Sequence, residues 1–231
     1  MAQRSPLARA WYQLLRGFSA GVVRTLFCLR TYRRERIPPS GPVLLLSNHE
    51  SHLDPVLVGV ASRRPLSYLA KRPLFRGPFG VLIRSVNAIP VDQDGVAIAG
   101  MREIIRRLKQ GEATLVFPEG SRSEDGQMGA LQPGFGVLVR RSGATIVPVG
   151  IAGAFEAWPR RRRLPRPGRV TVYVGRPIAP DQIDTFDQQQ LRELVARRIQ
   201  ACVRIAESLR HTPKTPAVAA DATGMSGGAA R

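Results

Sequence analysis

The segment Asn48-His49-Glu50-Ser51-His52-Leu53-Asp54-Pro55 puts two imidazoles and two carboxylates within eight residues, directly after the apolar run Val43-Leu44-Leu45-Leu46. An imidazole whose Nδ1–H is held by a carboxylate has a fixed tautomer and a stabilised imidazolium. Its Nε2 is then free to take a proton, which makes it a general base. On one regular helix His49 and Asp54 would lie roughly 140° apart and would not meet. A loop that doubles back at a helix start brings them together. Asp54 before Pro55 is such a start, with the aspartate in the cap position and proline just inside the helix. An aspartate before proline is equally an ordinary cap, and a histidine near it an ordinary loop residue, so the pair alone leaves both readings open. His52, two residues from Asp54, is the less suitable partner in a turned or extended segment.

These residues need a rigid scaffold, and the flanking sequence supplies one. Val43–Leu46 is short and unbroken and ends in polar residues, as a strand buried on both faces does in an α/β sheet. His49 then falls in a strand-to-helix loop at the carboxyl end of a strand, where open α/β sheets place their ligands. Strands are expected at 43–47, 66–70, 86–91, 113–117, 145–151 and 169–175. Helices are expected at 54–62, 73–84, 94–110, 133–142 and 187–210. The clearest helix starts at Asp94 as cap, carries Ile98, Met101, Ile104, Ile105 and Leu108 at helical spacing, and meets Gly111 just past its end. The alternation predicts an α/β fold with a mixed, largely parallel sheet covered by helices.

Ahead of it, residues 5–31 read as one amphipathic helix. With Leu7 as origin, Trp11, Leu14, Phe18, Val22 and Leu29 fall within an arc of roughly 80°, and Arg9, Arg16, Arg24 and Arg30 fall opposite. The pattern fits a membrane-interface helix, where each arginine near anionic lipid adds about 1 kcal/mol; a helix packed on the domain would show the same stripe. The expected organisation is therefore a helical membrane-interface segment at 1–37, an α/β domain at 38–211 after the Pro38-Pro39-Ser40-Gly41-Pro42 linker, and a disordered tail at 212–231 rich in Pro, Ala and Gly.

The net charge of +18, nearly all from arginine, implies an anionic partner: a phosphate-bearing substrate, an anionic lipid surface or nucleic acid. Arg160, Arg161, Arg162, Arg163, Arg166 and Arg169 form a run that must be solvated, as a plain surface or as a clamp for phosphate or membrane. The two cysteines, Cys28 and Cys202, have no metal-type spacing and fit a reducing compartment. No apolar run reaches the roughly eighteen residues of a bilayer span, and no clean signal peptide appears.

A second polar loop, Pro118-Glu119-Gly120-Ser121-Arg122-Ser123, follows the apolar run Thr114-Leu115-Val116-Phe117. Arginine offers a planar fork suited to phosphate oxygens, and glycine lets backbone approach a ligand. Glu119 and Arg122 alone would also make a local ion pair.

Together the blocks resemble a known family. Asn48-His49-Glu50-Ser51-His52-Leu53-Asp54 is similar to an NHxSxxD signature. Phe117-Pro118-Glu119-Gly120-Ser121-Arg122-Ser123 resembles an FPEGTRS block, and Ile146-Val147-Pro148-Val149-Gly150 matches an apolar, proline-bearing block. The family is that of the glycerolipid acyltransferases of the lysophosphatidate (1-acylglycerol-3-phosphate) type, and the resemblance runs from about residue 40 to 180. It implies that His49 is the general base on a glycerol hydroxyl and that Asp54 orients it. It further implies that Lys71 and Arg122 bind the acceptor phosphate and that Glu119, Gly120 and Ser121 complete the acceptor loop. The donor implied is acyl-CoA or acyl-carrier protein, the acceptor a lysophospholipid, and the place the cytoplasmic face of the cell membrane, peripheral or monotopic. No metal or bound cofactor is needed, because a thioester is already activated; the protein must orient a hydroxyl, remove its proton and stabilise an oxyanion, with backbone N–H groups near Gly120 as candidate donors. The chain departs from the family in its second block, where Gln93 stands at an arginine position and Asn87 at a glycine position. Arg84 or the run at 160–163 would then supply the charge, or the acceptor is another lyso-lipid, such as a lyso-ornithine lipid or a glycolipid. Two readings compete: a basic nucleic-acid binder, which no aromatic-rich binding strand supports, and a non-catalytic lipid binder on the same fold.

Overall fold

The structure is a computed structural model that describes residues 6–91 and 97–212. Asp94, Gln93 and all but the first residue of the expected tail lie outside the described residues. The elements run α1 (Pro6–Phe27), β1 (Arg30–Tyr32), β2 (Val43–Ser47), α2 (Asp54–Ala61), β3 (Leu66–Lys71), α3 (Gly77–Ser85), β4 (Ala88–Val91), α4 (Ala97–Lys109), β5 (Ala113–Val116), α5 (Gly134–Ser142), β6 (Thr145–Ala152), α6 (Ala154–Ala157), β7 (Thr171–Val174), α7 (Pro180–Asp184) and α8 (Gln188–His211).

One sheet of order β1-β7-β6-β2-β5-β3-β4 carries the fold. Every pairing is parallel except β6 with β7, so the sheet is mixed and largely parallel. β2 lies at its centre, with Leu46 opposite Val116 of β5 and Pro148 of β6. Its side chains alternate between two cores. Leu45 joins Phe27, Leu57, Val58 and Val147 on one face, and Leu44 and Leu46 join Ile104, Leu108, Leu138 and Ile199 on the other. Every residue of β2 is buried, which is why it reads as an unbroken apolar run rather than an alternating one.

α8 closes the second face and runs against β6 closely enough to demand glycine. A Cβ on Gly150 would stand 2.3 Å from the Cys202 carbonyl carbon and from the Val203 amide nitrogen. Backbone cannot move aside as a side-chain end can, so Gly150→Ala is expected to cost about 1–3 kcal/mol, read as a lower midpoint of thermal unfolding by circular dichroism. α8 begins with a capping box in which the Asp187 carboxylate accepts from the Gln190 amide at 2.8 Å and the Gln190 side chain accepts from the Asp187 amide at 3.0 Å.

Several boundaries differ from the sequence expectation. The N-terminal helix ends at Phe27, not at residue 31. Cys28 turns the chain with φ 42°, and Leu29 is buried in the core instead of extending the helical stripe. β1 lies before the boundary placed at residue 38 and pairs with β7 through Thr31 and Val172. Residues 73–84 form a 3₁₀ turn, Arg72–Phe75, followed by α3, because Pro78 fits only the first turn of a helix and resets its start. β4 starts at Ala88, after Asn87 at φ 71°. Asparagine tolerates this left-handed conformation better than most other side chains, which accounts for Asn87 at this turn.

Candidate active site

Three loops meet at the carboxyl end of the central strands: 48–53 after β2, 117–133 after β5, and the segment after β6. The first is fastened by Asn48. Its amide donates to Ile151 O at 3.0 Å and accepts from Ile151 N at 2.8 Å, extending the β2–β6 ladder by one side chain. Asn48 also donates to Glu50 Oε1 at 2.7 Å, and Glu50 Oε2 accepts from Phe155 N at 3.1 Å. Burial, and then the neighbouring Asp54, push the Glu50 carboxyl well above the usual range.

Asp54 is fully buried, and a single oxygen, Oδ2, gathers the turn. It accepts from His49 Nδ1 at 2.7 Å, from Glu50 N at 2.7 Å and from Ser51 N at 2.8 Å. The carboxylate thus points back into the loop rather than forward over its own helix. Leu53, not Asp54, occupies the cap position, and no side chain caps α2. The expected cap is in fact the clamp that doubles the chain back and joins the two residues a helix would have kept apart.

His49 is held on all sides. Its ring stacks on Phe117, with centroids 3.9 Å apart and planes at 14°. Its amide donates to Glu119 Oε1 at 2.8 Å and its carbonyl accepts from Ser123 N at 2.8 Å. The imidazole keeps 19% of its surface exposed, and Nε2 has no hydrogen-bond partner among the described residues. A histidine with Nδ1–H on a buried carboxylate and an accessible Nε2 is equipped to take a proton from a bound hydroxyl.

Comparison with known proteins decides the family. Residues 28–152 match the family model described as Acyltransferase, which is more than half of the chain. The chain belongs to the acyltransferase family. A 1-acyl-sn-glycerol-3-phosphate acyltransferase of Bacillus subtilis is 25% identical over 172 residues, 70% of this chain and 81% of that protein. One of Pseudomonas aeruginosa is 30% identical over 142 residues, 59% of this chain and 54% of that protein, so this chain spans only about half of that relative. The crystal structure of the 1-acyl-sn-glycerophosphate acyltransferase PlsC of Thermotoga maritima superposes with a TM-score of 0.77 at 25% identity, covering 93% of this chain and 86% of that one.

The other residues implied by this family take varied places. Arg122 stands on the β5 loop near Asp54, with Nη1 buried and unpartnered among the described residues. Burial first, and then the charge of Arg160, lower its pKa. Glu119 is not its ion-pair partner. Oε1 holds the His49 amide and Oε2 the Gly129 amide, each at 2.8 Å, so both oxygens of this carboxylate are engaged by backbone amides. Gly120 has φ 76°, which glycine adopts without strain, and its amide already donates to Phe117 O at 3.1 Å, so it is not available to an oxyanion. Ser121 is exposed at the loop tip. Lys71 ends β3 opposite Val91, and its side chain lies outside the described residues. His52 stays apart from Asp54, its ring 5.2 Å from that of Trp158, and burial, then Arg122 and His49, lower its pKa. Among the described residues no group of three or more His, Cys, Asp or Glu side chains is arranged to hold a metal ion.

Asn48, Glu50 and Phe117 lie inside the motif blocks without a role of their own there, and the structure brings them, with Glu119, against the His49 loop. Asn48 sat in plain view in the first block. The hydrogen bonds from the His49 amide to Glu119 and from Asn48 to Ile151 span 70 and 103 residues, however, and local spacing carries no trace of either.

Proposed function

We propose that the chain transfers a fatty acyl group from the thioester of acyl-CoA or acyl-carrier protein to the free hydroxyl of 1-acyl-sn-glycerol-3-phosphate, giving phosphatidic acid. The observation that carries this reading is the His49–Asp54 contact of 2.7 Å at the end of β2. It stands beside a loop arginine suited to a phosphate, and the relatives named above are acyltransferases of this acceptor. In the reaction the hydroxyl oxygen attacks the thioester carbonyl while His49 Nε2 takes its proton. The tetrahedral intermediate collapses with cleavage of the C–S bond, and the proton passes from His49 to the departing thiolate. Phe117 and Glu119 keep the ring and its backbone in place throughout, so little reorganisation is spent at the moment of transfer. The test is release of free thiol from palmitoyl-CoA in mixed micelles, with and without 1-oleoyl lysophosphatidate. Thiol release that does not depend on the acceptor sinks the reading.

The same proposal places the protein on the cytoplasmic face of the membrane through α1. No helix among the described residues is long and apolar enough to cross a bilayer. The far end of α1 packs Val23 and Phe27 into the core, yet Leu7 (83% exposed), Leu14 (65%), Phe18 (72%) and Trp11 (48%) face outward along one stripe. Such a stripe fits the acyl boundary of a lipid surface, with arginines near the headgroups. The double variant Leu14→Ser/Phe18→Ser is expected to weaken binding to anionic liposomes about 30- to 150-fold in a flotation assay, as loss of about 2–3 kcal/mol of apolar burial requires. Unchanged flotation assigns that stripe another role.

A further inference from the structure

Among the described residues Arg122 presents a buried guanidinium nitrogen without a hydrogen-bond partner, and the charges that act on it are those of Arg160 and Asp54. The turn that bears Arg160 is bound to the active-site loops from both sides. Ser51 Oγ donates to Trp158 O at 2.8 Å, the Trp158 indole donates to Arg162 O at 2.9 Å, and Arg162 N donates to Pro159 O at 3.1 Å, which folds residues 158–162 over the His49 loop. From there Arg160 Nη1 reaches Glu124 Oε1 at 3.3 Å. Glu124 follows Ser123, whose amide holds the His49 carbonyl. Arg160 is thereby tied to the loop of Arg122, two residues from it.

We propose that Arg160 and Arg122 together bind the phosphate monoester of the acceptor, and that Arg160 is the residue selecting this headgroup over an uncharged one. The inference rests on the reading of the acceptor as a lysophosphatidate. A phosphate monoester carries a charge of about −1.5 to −2 near neutral pH, and a single arginine leaves much of it uncompensated. Burial first, and then the charge of Arg160, lower the pKa of Arg122, and an anion seated between the two guanidinium groups turns their repulsion into two charge-assisted hydrogen bonds. The Glu124 contact is no obstacle, because both of its members are largely exposed and such pairs are weak, so a phosphate dianion displaces Glu124 readily. Arg84, the other cation considered from sequence, is engaged elsewhere, with its guanidinium over the Phe75 ring at 5.5 Å.

The test compares wild type, Arg160→Gln and Arg160→Lys with two acceptors of one acyl chain, lysophosphatidate and monoacylglycerol, in neutral-detergent micelles. Glycerol 3-phosphate binding is measured in parallel by ³¹P NMR titration. Arg160→Gln is expected to raise KM for lysophosphatidate about tenfold or more with kcat within about twofold, as loss of one charge-assisted contact to a bound anion does. Arg160→Lys recovers most of that rise, and neither substitution changes KM for monoacylglycerol. An unchanged KM, or an equal rise for both acceptors, overturns the assignment while turnover by the wild type leaves the proposed function standing. If the wild type turns over no lysophosphatidate, the proposed function falls and the binding arm decides: weaker glycerol 3-phosphate binding by Arg160→Gln upholds the site, and equal or absent binding refutes it.

Discussion

His49→Ala is expected to lower kcat for acceptor-dependent thiol release about 10²- to 10⁴-fold, the range that a positioned general base contributes, with little change in unfolding midpoint. Stability should hold because what fixes this loop is mostly backbone. The amide and carbonyl of residue 49 keep their bonds to Glu119 and Ser123, and Asp54 keeps the amides of residues 50 and 51. The ring contributes its stack on Phe117 and one bond to Asp54, and its removal opens space beside a loop already partly exposed. The measurement pairs initial rates in mixed micelles with a thermal melt of the same preparation. Thiol release undiminished in the variant would remove His49 from the chemistry altogether. A collapsed melt would instead recast it as a structural residue.

The parts of the fold legible in the sequence are those whose cause is local. β2, β5 and β6 announce themselves as short apolar runs because both faces of the sheet are covered there, and α8 announces its start through Asp187 and Gln190. The exposed stripe of α1 followed from periodicity as far as Val22, and the expectation failed past Phe27, where the turn at Cys28 sends Leu29 into the core and Arg30 into β1. What stayed hidden has a nonlocal cause. β1 is three half-buried residues, Arg30–Tyr32, with neither alternation nor an apolar run; it is a strand because Val170 and β7 lie beside it. In the candidate site the histidine and aspartate were legible as a pair, but the direction of the carboxylate was not. Asp before Pro has the same sequence signature whether the side chain caps the helix ahead or gathers the amides behind. Only the loop geometry set by Asn48 and Ile151 chooses between them. The bond between Glu119 and the His49 amide was hidden for the same reason, since an acid three residues from an arginine reads as a local pair or a loop residue until the His49 amide is seen to lie within 2.8 Å of it.

On the proposed mechanism the Asp54 carboxylate both gathers the loop amides and orients the base, and two substitutions should separate these roles. Asp54→Ala deprives the buried amides of Glu50 and Ser51 of their acceptor, and each unsatisfied buried donor costs about 1–3 kcal/mol, so a loss of about 2–5 kcal/mol is expected by urea unfolding. Asp54→Asn retains an oxygen of nearly the same shape for those amides and is expected to fold. It loses the charge that keeps the proton on Nδ1 and leaves Nε2 open, so kcat should fall about 10²- to 10⁴-fold even though the site remains assembled. The decisive comparison is the double variant His49→Ala/Asp54→Asn. If Asp54 acts on the reaction only through the imidazole, the double variant is no slower than His49→Ala alone, because residues that work as a unit are lost once. A further large fall in kcat would mean that Asp54 acts on the substrate or on Arg122 by another route, and the assignment of Asp54 as the orienting partner of the base would have to be given up.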